Sequence, residues 1–241
     1  MDTPGDRLRF KLDLVYPALG AYAAQIWSSP RVRELYPAYL GAMHQIVRSA
    51  VPLMDAALEQ ARARGPGDRV AVGLASYLSH HVGEESGHDV WLLEDLQACG
   101  GDPTEPLRRI PSPRAATFVG AQYYWLRHYH PVSLLGHIAA IEGNHPPVGF
   151  ADRLRELTGY PRTAFRAIER HETLDIRHKR ELFEVIDSLP LEREHETMMG
   201  ISALHTMQAG IDVLGEIYDS VVSNEGAPRD GSGVQAVVAG A

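Results

Sequence analysis

The sequence predicts an all-α protein, a bundle of about seven to eight helices. Apolar residues recur at intervals of three and four over most of the chain, as on helices with one buried face. Strand-like alternation of apolar and polar residues is nearly absent, and Gly- and Pro-rich turns separate the periodic segments. With 241 residues and 44% hydrophobic content, the chain can bury a sizeable core as a single domain.

The first half of the chain contains four segments with helical spacing. They span residues 8–27, 31–63, 68–98 and 113–127. Gly65-Pro-Gly67 separates the second from the third, and Gly100-Gly-Asp-Pro103 with Pro111-Ser-Pro113 separates the third from the fourth.

The second half contains four more such segments, spanning residues 132–142, 150–157, 163–188 and 192–222. Prolines at 146, 147 and 190 mark turns between them. Met199, Met207 and Ile211 place an apolar stripe on the last helix, which predicts a core-facing side. From 224 the composition is that of a flexible tail. We therefore predict one helical domain over 1–223 and a tail over 224–241.

Composition excludes several classes of function. The net charge of −8 and the lack of a Lys/Arg cluster argue against a nucleic-acid partner. No apolar run approaches the roughly 18 residues that span a bilayer, and the first residues do not resemble a signal peptide, so we expect a cytoplasmic protein without membrane contact. A single cysteine, Cys99, excludes an internal disulfide and a cysteine-built metal site, and we expect an idle thiol.

The stretch His171-Glu-Thr-Leu-Asp175-Ile-Arg-His178 is the most informative motif. Residues at offsets of zero, four and seven return to nearly the same side of a helix, so these two imidazoles and one carboxylate project into the same space. Such a set resembles half of a metal site.

A second pair, Glu85 and His88, repeats the carboxylate-x-x-His spacing of Asp175 and His178. In helical di-iron proteins two helices each supply such a pair and other helices add carboxylates, for which Glu142 is the natural candidate. The spacing alone is weak, because the chain has four such pairs, including Glu142/His145 and Glu192/His195, against about 1.5 expected at random. Glu85/His88 and Asp175/His178 could also lie on charged helix faces that point to solvent.

The ordered set of motifs resembles a known family, the heme-oxygenase-like diiron oxidases and oxygenases, also described as iron-containing redox enzymes. The resemblance covers roughly residues 10 to 220. It rests on Glu84-Glu-Ser-Gly-His88, on His130-Pro-Val-Ser-Leu-Leu-Gly136 leading to Ile141-Glu-Gly143, and on His171-x3-Asp175-x2-His178.

This resemblance implies a heme-oxygenase-like bundle that holds two iron ions. The implied ligands are Glu85, His88, Glu142, His171, Asp175 and His178. Glu85 is the carboxylate that we expect to bridge the irons, although the choice between Glu84 and Glu85 stays open. His145, which precedes Pro146, is a weaker candidate.

The resemblance also implies the chemistry. Three carboxylates and three imidazoles suit two ions that cycle between Fe2+ and Fe3+, with O2 as co-substrate. The implied substrate is a small molecule such as an amine, amino acid or fatty acid, and the outcome is N-oxygenation, desaturation or oxidative carbon–carbon cleavage. An external electron donor is a possible partner, and a homodimer is a possible assembly.

Some other residues could shape a substrate pocket. They are Tyr123, Tyr124, Trp125, Arg166, Arg170 and Arg177; a buried arginine would suit a substrate carboxylate. Ordinary core or surface roles are the simpler interpretation for all six. The same applies to the remaining helical histidines, which are His44, His80, His81, His128 and His137.

Two alternatives from different classes remain. A metal-free oxidase similar to pyrroloquinoline-quinone synthase would explain the histidines but leave the carboxylates idle. A non-enzymatic iron-binding helical protein would use the same ligands without an open site. A heme oxygenase needs only one proximal histidine, and thiaminase-like hydrolysis needs a placed thiol, so both fit the motifs less well.

Overall fold

The computed structural model describes residues 3–143 and 146–223, and all regular structure in those ranges is helical. The helices are α1 (Pro4–Trp27), α2 (Val32–Val47), α3 (Ala50–Ala63), α4 (Arg69–Glu85), α5 (His88–Ala98), α6 (Glu105–Arg108), α7 (Pro113–His128), α8 (Ser133–Glu142), α9 (Phe150–Thr158), α10 (Arg166–Ser188) and α11 (Arg193–Val222). A 3-10 turn, Arg162–Ala164, precedes α10. The all-α prediction is confirmed.

Two predicted helices are each divided in the structure. The segment 31–63 forms α2 and α3, which meet at Arg48 and Ser49. Pro52 then lies in the first turn of α3, where its missing N–H needs no partner. The segment 68–98 forms α4 and α5, which meet at Ser86 and Gly87. Apolar periodicity continues through both breaks, so it could not reveal them.

Helix α8 is the centre of the bundle. All of its residues except Ile141 are buried, as expected of a helix that is apolar on every side. It packs against α7, α10 and α11, and a Cβ added at Gly136 would lie 2.0 Å from the carbonyl oxygen of Met199. The close approach of α8 to α11 therefore requires a glycine at this position.

Helices α2 and α5 run antiparallel along one side of the bundle. Leu40 of α2 packs in one apolar cluster with Leu92 and Leu96 of α5, and His44, one turn later, interacts electrostatically with Asp89 near the start of α5. The interior next to α2 therefore adjoins the first turn of α5, which begins with His88.

The described residues include no helix long and apolar enough to cross a bilayer. The predicted tail over 224–241 and the weak candidate His145 lie outside the described residues.

Candidate metal centre

The six predicted ligands come from four helices, α4, α5, α8 and α10. His171, Asp175 and His178 lie on α10, which is continuous across all three, as predicted. Asp175 and His178 are buried, with 5% and 1% of their surface exposed, and His171 is half-buried. The spacing on α10 therefore turns the three side chains toward the interior.

Glu85 and His88 do not lie on one continuous helix, so the prediction of a single helix over 68–98 is wrong. Glu85 is the last residue of α4 and His88 is the first of α5. Between them Gly87 has a φ of 87°, in the left-handed region that glycine adopts without strain. The chain turns there, yet Glu85 Oε2 and His88 Nδ1 remain 3.0 Å apart. The break, rather than helical spacing, brings the two side chains together.

Glu85, His88 and His171 form one group of potential ligands. One donor atom from each lies within 4.8 Å of the other two. His171 Nδ1 donates a hydrogen bond of 2.7 Å to the carbonyl oxygen of Ala167, which leaves Nε2 as the atom able to bind a cation. The His88 ring stacks on Trp91 with 4.1 Å between ring centres. Both imidazoles are thus oriented by protein contacts.

His81, Glu142 and His178 form the second group, again with donor atoms within 4.8 Å of one another. Glu142 is the last residue of α8, and Lys179 Nζ donates a 2.8 Å hydrogen bond to the neighbouring carbonyl of Gly143. His81 Nε2 lies 2.9 Å from Glu142 Oε1.

His81 belongs to the second group, although its sequence context predicted an ordinary role. Its signal was position, since it lies one helical turn before Glu85 on α4. Glu142, which contacts His81, is 61 residues away in the sequence, and only the fold brings His81 and Glu142 together.

Asp175 belongs to neither group of three but lies beside them. Its Oδ1 is 3.9 Å from His178 Nδ1. Burial raises the pKa of Asp175 to about 8, and the nearby carboxylates Glu142 and Glu85 add to the effect. A cation next to such a carboxyl would strongly stabilise its ionised form.

Glu84 is turned away from the first group. Its Oε1 pairs with Arg177 Nη2 at 2.7 Å, and its Oε2 lies 3.6 Å from His81 Nδ1. Glu85 instead has Oε2 next to His88 and Oε1 3.5 Å from His178 Nδ1. Of the two glutamates, Glu85 is therefore the one that faces both groups.

The electrostatics of the centre reflect buried acids and bases held close together. Burial raises the pKa of Glu142 and lowers those of His171 and His178. Burial acts against protonation of His81, but the Glu142 hydrogen bond and the surrounding carboxylates outweigh it and raise the pKa. The pKa of Glu85 shifts in the opposite direction. Attraction to His88 outweighs the cost of burial there and lowers the pKa.

Several buried polar atoms of the centre lack a hydrogen-bond partner. They are Glu142 Oε2, Asp175 Oδ1 and His178 Nδ1. Such atoms are rare in folded proteins because each one costs free energy. Their chemistry is that of imidazole and carboxylate donors, which suit iron. The residues present therefore fit a pair of bound cations, which would satisfy these atoms.

Of the three predicted pocket arginines, only Arg177 reaches the donor groups, with Nη2 3.4 Å from His178 Nε2. Arg166 pairs with Glu94, Arg177 with Glu84, and the guanidinium of Arg170 lies 5.0 Å from the centre of the Trp91 ring. A surface pocket of about 410 Å3 lies at Arg166, among Glu94, Ala98, Arg162, Thr163 and Glu169, and none of the six predicted ligands lines it.

The aromatic candidates on α7 have ordinary environments. Tyr123 packs against the main apolar core, Tyr124 is 63% exposed, and Trp125 contacts the His205 ring edge-on at 5.2 Å.

The other histidines differ in their surroundings. His80 and His128 are exposed, whereas His137 is buried with Nδ1 2.8 Å from Thr206 Oγ1. His44 has no exposed surface, and neither ring nitrogen has a hydrogen-bond partner. Cys99 is half-buried, and burial raises its pKa to about 12, so it stays a thiol at neutral pH.

Several solved structures resemble this chain. A domain of unknown function with a heme oxygenase-like fold from Shewanella denitrificans aligns with a TM-score of 0.77 at 17% identity, covering 92% of this chain and 95% of that one. A TenA homolog from Pseudomonas syringae gives a TM-score of 0.63 at 11% identity, covering 86% and 92%. A CADD-like protein of unknown function from Nostoc punctiforme gives 0.58 at 14%, covering 91% and 99%.

At these identities the likeness shows the fold alone, and it confirms the predicted heme-oxygenase-like architecture. No curated protein gives a significant match. Residues 32–211 match the family model described as iron-containing redox enzyme, which is well over half of the chain. With the buried imidazoles and carboxylates in place on the heme-oxygenase-like bundle, the chain belongs to the family of iron-containing redox enzymes.

Proposed function

We propose that the protein is a non-heme di-iron oxidase or oxygenase that activates O2 and acts on a small organic substrate. The observation that carries the proposal is the pair of adjoining donor groups, Glu85/His88/His171 and His81/Glu142/His178, drawn from four helices. Membership of the iron-containing redox enzyme family supports iron as the metal.

Each predicted ligand has a place in this proposal. Glu85, His88 and His171 would hold one iron, and Glu142 and His178 would hold the other. Asp175 lies beside His178 and would add a third carboxylate. Glu85 would bridge, because its two oxygens lie near His88 and His178, which belong to different groups. Two ferrous ions bound there would supply electrons and open coordination positions for O2.

The chain itself supplies position, electrostatics and exclusion of water. Trp91 and the Ala167 carbonyl orient the rings of His88 and His171. Leu78 on α4 and Leu182 on α10 are fully buried near the ligands of those helices and keep the interior apolar. In such an environment the carboxylates interact strongly with cations, because little water competes for them.

The substrate class is an amine, an amino acid or a fatty acid, and the outcome is N-oxygenation, desaturation or oxidative carbon–carbon cleavage. Reduction of the oxidised centre would come from an external electron donor. We place the reaction in the cytoplasm, and a homodimer as the acting assembly.

The metal-free oxidase and the non-enzymatic iron-binding protein remain the competing hypotheses. A metal-free protein would leave Glu142 Oε2 and Asp175 Oδ1 buried without a partner, which weighs against it. An iron-binding protein without activity would bind metal but show no reaction with O2.

The test is to load the metal-free protein with Fe2+ without oxygen, count the bound iron, and mix it with O2 while recording the visible spectrum. We expect about two irons per chain and an oxygen-dependent transient band. His171→Ala and Asp175→Ala should lose both, and His128→Ala, which alters an exposed histidine, should keep both. Failure of the wild type to take up iron specifically would refute the metal hypothesis and favour the metal-free one.

A further inference from the structure

His81 is a buried imidazole that the six predicted ligands do not include. It lies on α4 with 2% of its surface exposed. The Tyr77 ring stacks on it with 5.0 Å between ring centres and 20° between planes. The His178 ring meets it edge-on at 5.1 Å. The His81 ring is therefore held in one orientation, with Nε2 toward Glu142.

We propose that His81 is a metal ligand together with Glu142 and His178, and that Glu84 and Arg177 orient it. The inference rests on the proposed function, which supplies the metal. Each metal position would then have two imidazoles and a carboxylate, and Asp175 would add a further carboxylate beside His178.

The two ring nitrogens of His81 face different kinds of group. Nε2 points into the donor cluster, while Nδ1 lies 3.6 Å from Glu84 Oε2. A histidine that binds a metal almost always directs its other nitrogen at a carboxylate or a carbonyl, which sets the tautomer and the ring orientation. His171 shows the closer form of this arrangement, a 2.7 Å hydrogen bond from Nδ1 to the Ala167 carbonyl, whereas the contact of His81 with Glu84 is electrostatic at 3.6 Å.

The carboxylate behind His81 is itself held. Arg177 Nη2 lies 2.7 Å from Glu84 Oε1, and Glu84 Oε2 is buried with no hydrogen-bond partner. Arg177 precedes His178, so the helix that supplies one ligand also secures the support of another. This chain from Arg177 through Glu84 to His81 gives a role to Glu84, which stands outside the two donor groups.

The competing interpretation is that His81 only donates a hydrogen bond to Glu142. His81→Gln separates the two, because the glutamine amide can still donate to a carboxylate but is a poor ligand for ferrous or cobaltous ions. His81→Ala removes both functions. Glu84→Gln keeps the ring but weakens its support.

The experiment titrates metal-free protein with Co2+ and Fe2+ and follows metal content and the visible Co2+ spectrum. We expect two metals per wild-type chain. In His81→Ala and His81→Gln the second metal should bind about 100-fold more weakly and the Co2+ bands should change. Glu84→Gln should keep both metals with roughly 10- to 100-fold weaker binding. Thermal unfolding of the metal-free variants verifies that each is folded, and His128→Ala is the control.

Two outcomes would overturn the inference. If His81→Gln binds two metals with wild-type affinity and spectrum, His81 is not a ligand, and the di-iron proposal stands on the remaining residues. If the wild type itself binds no metal, the di-iron proposal fails and the role of His81 fails with it. The first outcome concerns His81 alone, so the two failures are distinguishable.

Discussion

The carboxylate of Asp95, on α5, accepts a hydrogen bond of 2.9 Å from the amide of Ala167, in the first turn of α10. It also accepts one of 3.1 Å from the amide of Arg166. Asp95 has no exposed surface and thus caps α10 from a neighbouring helix. This contact joins the helix that begins with His88 to the helix that carries His171.

Asp95→Ala should lower the free energy of unfolding by about 1–3 kcal/mol, because two helix-end amides lose their buried acceptor. Urea denaturation at neutral pH measures the change. Glu94→Ala is the matched control: it removes the exposed ion pair with Arg166 and should cost less than about 1 kcal/mol. Equal effects of the two substitutions would contradict the capping role of Asp95.

The stabilising effect of Asp95 should also depend on pH. Burial raises its pKa from 3.8 to about 6, despite the opposing amide hydrogen bonds. The folded protein then binds more protons than the unfolded chain between these two values. The stability that comes from protonation of Asp95 is therefore fully present below 3.8 and is lost as the pH rises through about 6, whereas the two amide hydrogen bonds persist at neutral pH. Asp95→Asn does not titrate. It should therefore gain stability relative to the wild type between pH 4 and 7, and a constant difference would refute the shift.

Gly87→Ala should be destabilising by roughly 1–2 kcal/mol, because an L side chain is strained at a φ of 87° although no atom lies within 4 Å of the added Cβ. Metal affinity should fall too, since the turn sets the distance between Glu85 and His88. Gly83→Ala, inside α4 and equally free of contacts, should be stabilising by up to about 1 kcal/mol. Thermal unfolding should therefore show a lower melting temperature for Gly87→Ala and a higher one for Gly83→Ala. Shifts in the same direction would contradict the strain at Gly87.

Gly136→Ala should destabilise the protein more than Gly87→Ala does. Its Cβ would lie 2.0 Å from the backbone oxygen of Met199, which can move only if the helix moves. We expect a loss of about 3 kcal/mol or more, or failure to fold, as α8 is forced from α11. Gly120→Ala on α7 has open space and serves as the control. Guanidinium unfolding measures both, and wild-type stability in Gly136→Ala would refute the close approach.

His44→Leu should raise the melting temperature by a few degrees, because it removes two buried ring nitrogens that lack partners. Burial of these two atoms costs about 1–2 kcal/mol of stability. His137→Leu provides the comparison. That ring is equally buried but bonds Thr206, so its loss should cost about 1–3 kcal/mol. A fall in the melting temperature of His44→Leu would show that a bound molecule or water serves the imidazole.

The α10 motif was predictable because its information is local. His171, Asp175 and His178 share a face on any uninterrupted helix, and the apolar residues around them continue the same period. The α4–α5 junction was not predictable from that period, since a single glycine at Gly87 redirects the chain without disturbing it. The carboxylate-x-x-His spacing of Glu85 and His88 arises there from a turn, which helical periodicity does not indicate.

The donor groups illustrate the same division. His81 lies four residues before Glu85 and His80 lies four residues before Glu84, so spacing alone does not choose between the two histidines. In the structure the His81 imidazole is buried against Glu142 and that of His80 is exposed. Successive residues point about 100° apart around a helix, so His80 and His81 face different directions. Only His81 faces its partners on α8 and α10. Similarly, Glu84 and Glu85 are adjacent, and packing alone directs one to Arg177 and the other to His88.

By itself the sequence determined the all-helical class, the continuous α10 stripe and the resemblance to iron-containing redox enzymes, because periodicity, turn residues and ordered motifs are properties of the chain. The tertiary structure decided which buried donors share a site. That choice depends on the close approach of α8 to α11 at Gly136, on the turn at Gly87 and on the capping of α10 by Asp95, since each sets the relative position of helices that lie far apart in the chain.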